Sequence, residues 1–162
     1  MLIRPAILED AVAIATIHVV SWHETYTGII PDSYLQKLDV QVRRQMWETA
    51  LERKQLIHVA EVGGKVVGFA NGGKNRDNDT VYPGELYAIY LLKAFHKREI
   101  GKALLEAVVS QLLASGLLPF VTYVLADNPT LEFYRHTGAK IIDEHIEDFD
   151  GRKLKELRLA WS

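Results

Sequence analysis

The chain contains no cysteine. That absence excludes disulfides, thiolate metal sites and a cysteine nucleophile together, and it fits a reducing compartment. No apolar run approaches the roughly 20 residues that a membrane span needs, so no membrane partner is expected. The opening stretch MLIRPAILED lacks an apolar core and a small-residue cleavage site. A secretory leader is therefore not expected, and the cytoplasm is the expected address. Charge of one sign is lacking too, because the formal net charge is −2 over 162 residues. Such a balance offers no global basic field for nucleic acid, although a local patch can still attract an anionic ligand. Neither G-x-G-x-x-G nor a Gly-rich run ending in Gly-Lys-Ser/Thr occurs, which removes two common nucleotide fingerprints. No HExxH-like pair is present, and His18 and His23 stand five residues apart, pointing in different directions on a helix. No metal site is expected.

What is present suits one domain over residues 1–162, with 48% hydrophobic and 25% charged residues. Leu2–Arg4 reads as a short strand ended by Pro5. A helix follows from Glu9-Asp10 to about Trp22, with Ile14, Ile17 and Val20 near helical spacing. Asp32 is placed to cap a short helix, and a further helix is expected over about Val40–Arg53. Leu56–Val62 and Lys65–Asn71 flank Gly63-Gly64 as a hairpin, and Asn75–Pro83 reads as a loop. Glu85–Leu92 is a strand, His96–Lys102 a basic turn, and Ile100–Ser115 an amphipathic helix with Leu104, Val108 and Leu112 on one face. Phe120–Ala126 is a strand, Asn128-Pro129 opens a helix to about His136, and Ala139–Asp148 with Arg152–Trp161 form a hairpin around Asp150-Gly151. The expected class is α/β with a mixed, mostly antiparallel central sheet flanked by helices.

Two stretches carry chemistry. The first is the strand, basic turn and helix ELYAIYLLKAFHKREIGKALL. A helix N-terminus exposes unpaired backbone N–H groups and a partial positive charge, which suits phosphate. Lys97, Arg98 and Lys102 add charge there, and Gly101 beside Ala103 admits a close ligand. A solvated basic surface is the competing reading. The second stretch is VLADNPTLEFYRHTGAK, where Asn128 follows a strand end and Tyr134 lies one to two helical turns on. By pattern alone, Asn128 is a helix cap and Tyr134 a core residue.

This second stretch resembles the late motif of the GCN5-related N-acetyltransferase (GNAT) superfamily, matching at Asn128, Leu131, Phe133, Tyr134 and Gly138. The basic turn resembles the same superfamily's pyrophosphate motif, Gln/Arg-x-x-Gly-x-Gly/Ala. The order of elements fits that fold across nearly the whole chain, and SWHETYTGIIPDSYL resembles the acceptor-pocket region of a subgroup. Two positions depart from the motif. His96 stands where Gln or Arg is usual, and Glu99 stands where the first glycine is usual. If that position needs a positive φ, the strain is about 1–2 kcal/mol.

The resemblance implies direct acetyl transfer from acetyl-CoA to an amine, on a small molecule or a protein, within a ternary complex. The pantetheine arm would lie along Tyr90, Leu91 and Leu92. The diphosphate would sit at His96, Lys97, Arg98, Glu99, Ile100, Gly101, Lys102 and Ala103, with Asn128 holding the arm. Tyr134 would protonate the leaving thiolate, and Glu85 would be the general base, its alternative being a surface charge at a strand end. Trp22, His23, Tyr26 and Tyr87 would shape the acceptor pocket, with plain core packing as the alternative for Trp22 and Tyr26. A homodimer is common among the proteins resembled. The alternative function is a non-catalytic acyl-CoA-binding or sensing module of the same fold. The acidic run Asp143–Asp150 is expected to pair across its hairpin with Arg152–Lys155.

Overall fold

A computed structural model describes residues 1–161. Seven strands form one sheet in the order β1-β2-β3-β4-β5-β7-β6. They are β1 (Leu2–Pro5), β2 (Ile57–Val62), β3 (Lys65–Lys74), β4 (Gly84–Leu91), β5 (Phe120–Leu125), β6 (Lys140–Phe149) and β7 (Arg152–Trp161). Every neighbouring pair is antiparallel except β4 with β5. The helices are α1 (Ala11–Tyr26), α2 (Asp32–Leu35), α3 (Val40–Glu52), α4 (Ile100–Ala114) and α5 (Thr130–His136). The element order is the expected one, and the mixed, mostly antiparallel sheet flanked by helices is the expected class.

Each helix covers the sheet through the stripe its sequence supplies. Ile100, Leu104, Leu105, Val108 and Leu112 of α4 pack on Ala60, Val67, Ala70 and Leu86 of the sheet. Tyr134 of α5 joins this same layer. On the opposite face, Ala11, Ile14, Ala15 and Ile17 of α1 meet Trp47 and Ala50 of α3 over Val59 and Phe69. Each fully buried Leu or Ile in these layers contributes about 1.5–3 kcal/mol. At the start of α1 the buried Asp10 accepts from Arg4 at 2.8 Å and from the Ile7 backbone N–H at 2.8 Å. At the start of α3 the Asp39 side chain accepts from the N–H groups of Gln41 and Val42.

Three boundaries differ from the sequence reading. Helix α1 runs one turn past Trp22 to Tyr26. Nothing breaks it before Gly28, whose φ is +88°, and the extra turn buries Tyr26 with Ile30, Leu35 and Leu125. Asp32 does not cap α2; Pro31 occupies that position and no side chain bonds the helix start. Strand β3 continues through Gly72-Gly73 to Lys74 instead of stopping at Asn71. A Cβ on Gly72 would lie 2.7 Å from the Glu85 carbonyl oxygen, so this glycine permits close approach of strands rather than a turn.

That approach coincides with a bulge. Asn71 pairs with Ala88 and Gly72 with Leu86, which leaves Tyr87 as the extra residue of β4. The bulge resets the alternation of side chains: Leu86 joins the α4 layer, whereas Ala88 and Tyr90 join the α1 layer.

Candidate active site

Strands β4 and β5 pair only at Gly84–Phe120 and Glu85–Val121. The chain entering β5 presses closely there, since a Cβ on Gly84 would collide with the Leu117 carbonyl oxygen and lie 3.1 Å from the Phe120 Cβ. The Thr122 hydroxyl donates to the Leu86 carbonyl at 2.9 Å and makes the last link. Beyond Leu86 the strands part. The first three residues of β4 are buried and the last five are half-exposed. The resulting wedge is lined by Tyr87, Ala88, Ile89 and Tyr90 on one side and by Thr122, Tyr123 and Val124 on the other. Tyr26, Asn128 and Tyr134 close its inner end.

The turn from Lys93 to α4 lies just past the open end of β4. His96 Nε2 donates to the Leu91 carbonyl at 2.8 Å and folds the turn back on the strand. Lys97 and Glu99 both take left-handed backbone, with φ of 62° and 63°. Among the described residues, the backbone N–H groups of residues 97–102 find no acceptor. Successive free N–H groups in such a turn, at a helix N-terminus, form a concave anion receptor. A Cβ placed on Gly101 would touch the Phe133 ring at 3.5 Å, so this glycine seats α4 against α5. The donor set therefore fits a diphosphate. Lys97, Arg98 and Lys102 are exposed around it, and Arg98 lies over the Phe95 ring at 5.2 Å. Glu99 is also exposed, and its side chain bonds nothing at the helix start.

Tyr134 is 6% exposed and faces the wedge. Burial holds its phenol well above the usual tyrosine range, with Tyr90 and Tyr26 adding to the rise and Thr122 opposing it. The hydroxyl therefore stays protonated at neutral pH. Asn128 uses both ends of its amide: Oδ1 accepts from the Thr130 N–H at 2.8 Å, and Nδ2 donates to the Tyr26 hydroxyl at 2.9 Å. Asn128 precedes the N-cap of α5, which is Pro129, and its bond from the Thr130 N–H closes a turn at the start of that helix. Trp22 Nε1 donates to the Tyr90 hydroxyl at 2.8 Å and its ring lies 4.7 Å from that of Tyr26. Burial pushes the Tyr90 phenol up to about 12, with the Trp22 bond opposing. Trp22, Tyr26 and Tyr90 thus form one aromatic wall beside the wedge. His23 lines neither the wedge nor the cleft described next.

The surface-charge alternative for Glu85 is overturned, because this residue is only 1% exposed. Its carboxylate accepts from the Arg76 backbone N–H at 3.0 Å and from the Arg76 guanidinium. Arg76 also stacks on Tyr87 at 4.6 Å, and the Tyr87 hydroxyl donates to the Lys74 carbonyl. Sequence reasoning missed Arg76, which sits in a loop read only as polar. It also missed Thr122 and Tyr123; the alternation of a strand flanking the late motif was the available signal.

Tyr123 also lines a second, open cleft of about 430 Å³ between β5, β7 and β6. The acidic run borders this cleft, and here the expected hairpin pairing largely fails. Within that expected set, only Lys155 pairs with an acid of the run, Glu144, at 3.6 Å. Asp150 instead bonds Lys37, and Arg152 donates to the Ile29 carbonyl, because α2 and its flanking loop cover the hairpin tip.

A splayed parallel strand pair running from an anion-receiving turn to a buried tyrosine defines a site for an elongated, phosphate-bearing ligand. The chain belongs to the acetyltransferases: the signature described as "Acetyltransferase (GNAT) family" matches residues 16–139, and this protein is a member of that family. It is 36% identical over 159 residues to "Uncharacterized N-acetyltransferase YuaI" of Bacillus subtilis (strain 168), covering 98% of this chain and 91% of the relative. Its fold is that of a ribosomal-protein-alanine N-acetyltransferase from Brucella melitensis, with TM-score 0.79, 23% identity and 99% of each chain covered. It is also that of a PaiA N-acetyltransferase from Thermoplasma acidophilum in complex with coenzyme A, with TM-score 0.76, 24% identity and 96% of each chain covered. YncA of Salmonella typhimurium, solved with acetyl-CoA, has TM-score 0.76 at 20% identity, with 99% of this chain and 92% of that one covered.

Proposed function

We propose that the protein transfers an acetyl group from acetyl-CoA directly to an amine within a ternary complex. The observation that carries this reading is the wedge beside β4, lined by Tyr134, on the strand that leads into the turn whose N–H groups at residues 97–102 are free. The coenzyme complexes of PaiA and YncA support the choice of co-substrate. Acetyl-CoA supplies an activated acyl group. The chain's residues do the rest. The turn at 97–102 holds the diphosphate, and the unpartnered edge of β4 from Tyr87 to Leu91 receives the pantetheine amides as an added strand would. N–H groups of that edge polarise the thioester carbonyl. Tyr134, protonated at neutral pH, gives its proton to the departing thiolate. Glu85 draws the proton from the amine through water, since its direct contacts are taken by Arg76. Tyr87, Trp22 and Tyr26 bound the acceptor side.

The test is thiol release from acetyl-CoA against a panel of amines, preceded by titration with acetyl-CoA. Binding with amine-dependent release supports the proposal. Binding with no release from any acceptor favours a non-catalytic acyl-CoA-binding module, and no binding overturns both.

A further inference from the structure

We propose that Arg76 is a positioning residue for the acetyl transfer: it is the cation that keeps the Glu85 carboxylate ionised and leaves one of its oxygens free to take a proton. This rests on the acetyl-transfer reading above. Glu85 lies at the last β4–β5 pair, two residues before Tyr87, where the wedge begins. A carboxylate only 1% exposed is costly to keep charged without a cation. Among the described residues, Arg76 supplies every hydrogen bond that this carboxylate receives. The bonds are unequal. Oε2 takes two, from Nε and an Nη of the guanidinium, and Oε1 takes one, from the Arg76 backbone N–H at 3.0 Å. Oε1 therefore keeps a lone pair for water. The guanidinium also lies over the Tyr87 ring at 4.6 Å, and the Lys74 carbonyl holds that ring by its hydroxyl. A planar fork can stack on a ring and donate two bonds at once, which an ammonium cannot.

The two partners differ in exposure. The Arg76 side chain is 63% exposed, against 1% for that of Glu85. Water can solvate the guanidinium once Glu85 is protonated, whereas the buried carboxylate has no such recourse if Arg76 is lost. The pair thus favours a charged base before transfer and tolerates its protonation afterwards. The other titratable groups around the pair supply no cation. Burial holds the phenols of Tyr87 on β4 and Tyr123 on β5 above the usual range, that of Tyr123 up to about 12, so both are neutral near pH 7. Asp77 in the loop and Glu156 on β7 add only negative charge near the guanidinium. At the reacting end the amine nitrogen bonds the acetyl carbon and the C–S bond breaks. The nitrogen's proton passes through water to Oε1, and the thiolate takes a proton from Tyr134.

The experiment makes Arg76→Met and Arg76→Lys and follows thiol release from saturating acetyl-CoA with n-butylamine, or with whichever amine of the panel releases thiol faster. The ratio of variant to wild-type kcat/KM is read against pH, so that the amine's own titration cancels. Removing the opposite charge beside a carboxylate moves its ionisation up by about 1–3 pH units. For Arg76→Met the ratio should therefore be about 0.1 or less at neutral pH and climb toward one by about pH 9. Arg76→Lys keeps the charge without the fork, so its ratio should be higher at neutral pH and nearly flat. The Kd for acetyl-CoA should stay the same in both. The loop keeps its ties from Asp77 to Tyr123 and from Asp79 to Arg158, and circular dichroism checks the fold. Arg76→Gln, polar but uncharged, repeats the reading if Arg76→Met does not fold. A ratio near one at every pH, or a lowered ratio that does not change with pH, overturns the inference, since a merely structural tie would give the latter. Wild-type protein that binds no acetyl-CoA, or turns over no amine, fails the parent reading instead, so the two failures are distinguishable.

Discussion

Replacing Glu99 with glycine is a sharp probe of the basic turn. Glu99 holds φ 63° and ψ 6°, a left-handed conformation that costs a residue with a Cβ about 1–2 kcal/mol. Glycine removes that strain, but it loses about 0.5–1 kcal/mol through the entropy of the unfolded chain. Removing a negative charge from the start of α4 loses a further 0.3–1 kcal/mol or so of interaction with the helix dipole. These effects nearly cancel, so the stability of the free protein should shift by less than about 1 kcal/mol. Binding is different, because on the proposed placement the carboxylate would face a ligand with two phosphoryl charges. Each like-charge contact at 4 Å costs about 1 kcal/mol in bulk water, and salt screens it. Glu99→Gly should therefore tighten the calorimetric Kd for CoA about 5- to 30-fold. Glu99→Gln should recover much of that gain, and the gain should shrink in high salt. An unchanged or weaker Kd for Glu99→Gly would refute the placement of the diphosphate opposite this residue.

Tyr134→Phe should lower kcat about 100-fold or more while leaving the Kd for acetyl-CoA nearly constant, because the ring stays and the proton donor goes; an unchanged kcat removes the acid role. Asn128→Ala removes the bond to the Thr130 N–H at the start of α5 and the bond to Tyr26, and should cost about 1–2 kcal/mol in urea denaturation; a loss below a few tenths contradicts it. Burial depresses the His18 imidazole to about 4, so the native state binds fewer protons than the unfolded chain between that value and the ordinary 6.5. Stability is then full above pH 6.5 and falls by up to about 3 kcal/mol as pH drops to 4. His18→Phe should flatten most of that slope in urea midpoints, and an equal slope in the variant contradicts the assignment.

The order of elements was legible because each follows from local pattern: the α4 stripe, the Gly63-Gly64 turn, and Asp150-Gly151, where both residues take positive φ. Boundaries failed where tertiary contact overrode local signal. Gly72-Gly73 reads as punctuation in isolation, yet both residues sit in a ladder that their missing side chains permit. Glu85 reads as a strand-end charge, and only the folding of Arg76 onto it across the loop makes its burial possible. Tyr134, Tyr90, Tyr87 and Asn128 do gather at the wedge, because strand period and helix position fix where they point. His23 does not, since the neighbouring helical position turns it away from Trp22. The acidic run of β6 was visible in sequence, but its cleft arises from the pairing of β5 with β7, a long-range register that no local pattern specifies.

Amide chemical shifts of uniformly labelled protein titrated with acetyl-CoA test the central claim most directly. Saturable shifts should concentrate at residues 87–92 and 97–103, with smaller changes at Asn128 and Tyr134. Shifts absent from those segments, or a saturating titration whose changes fall elsewhere, would contradict the wedge as the acetyl-CoA site.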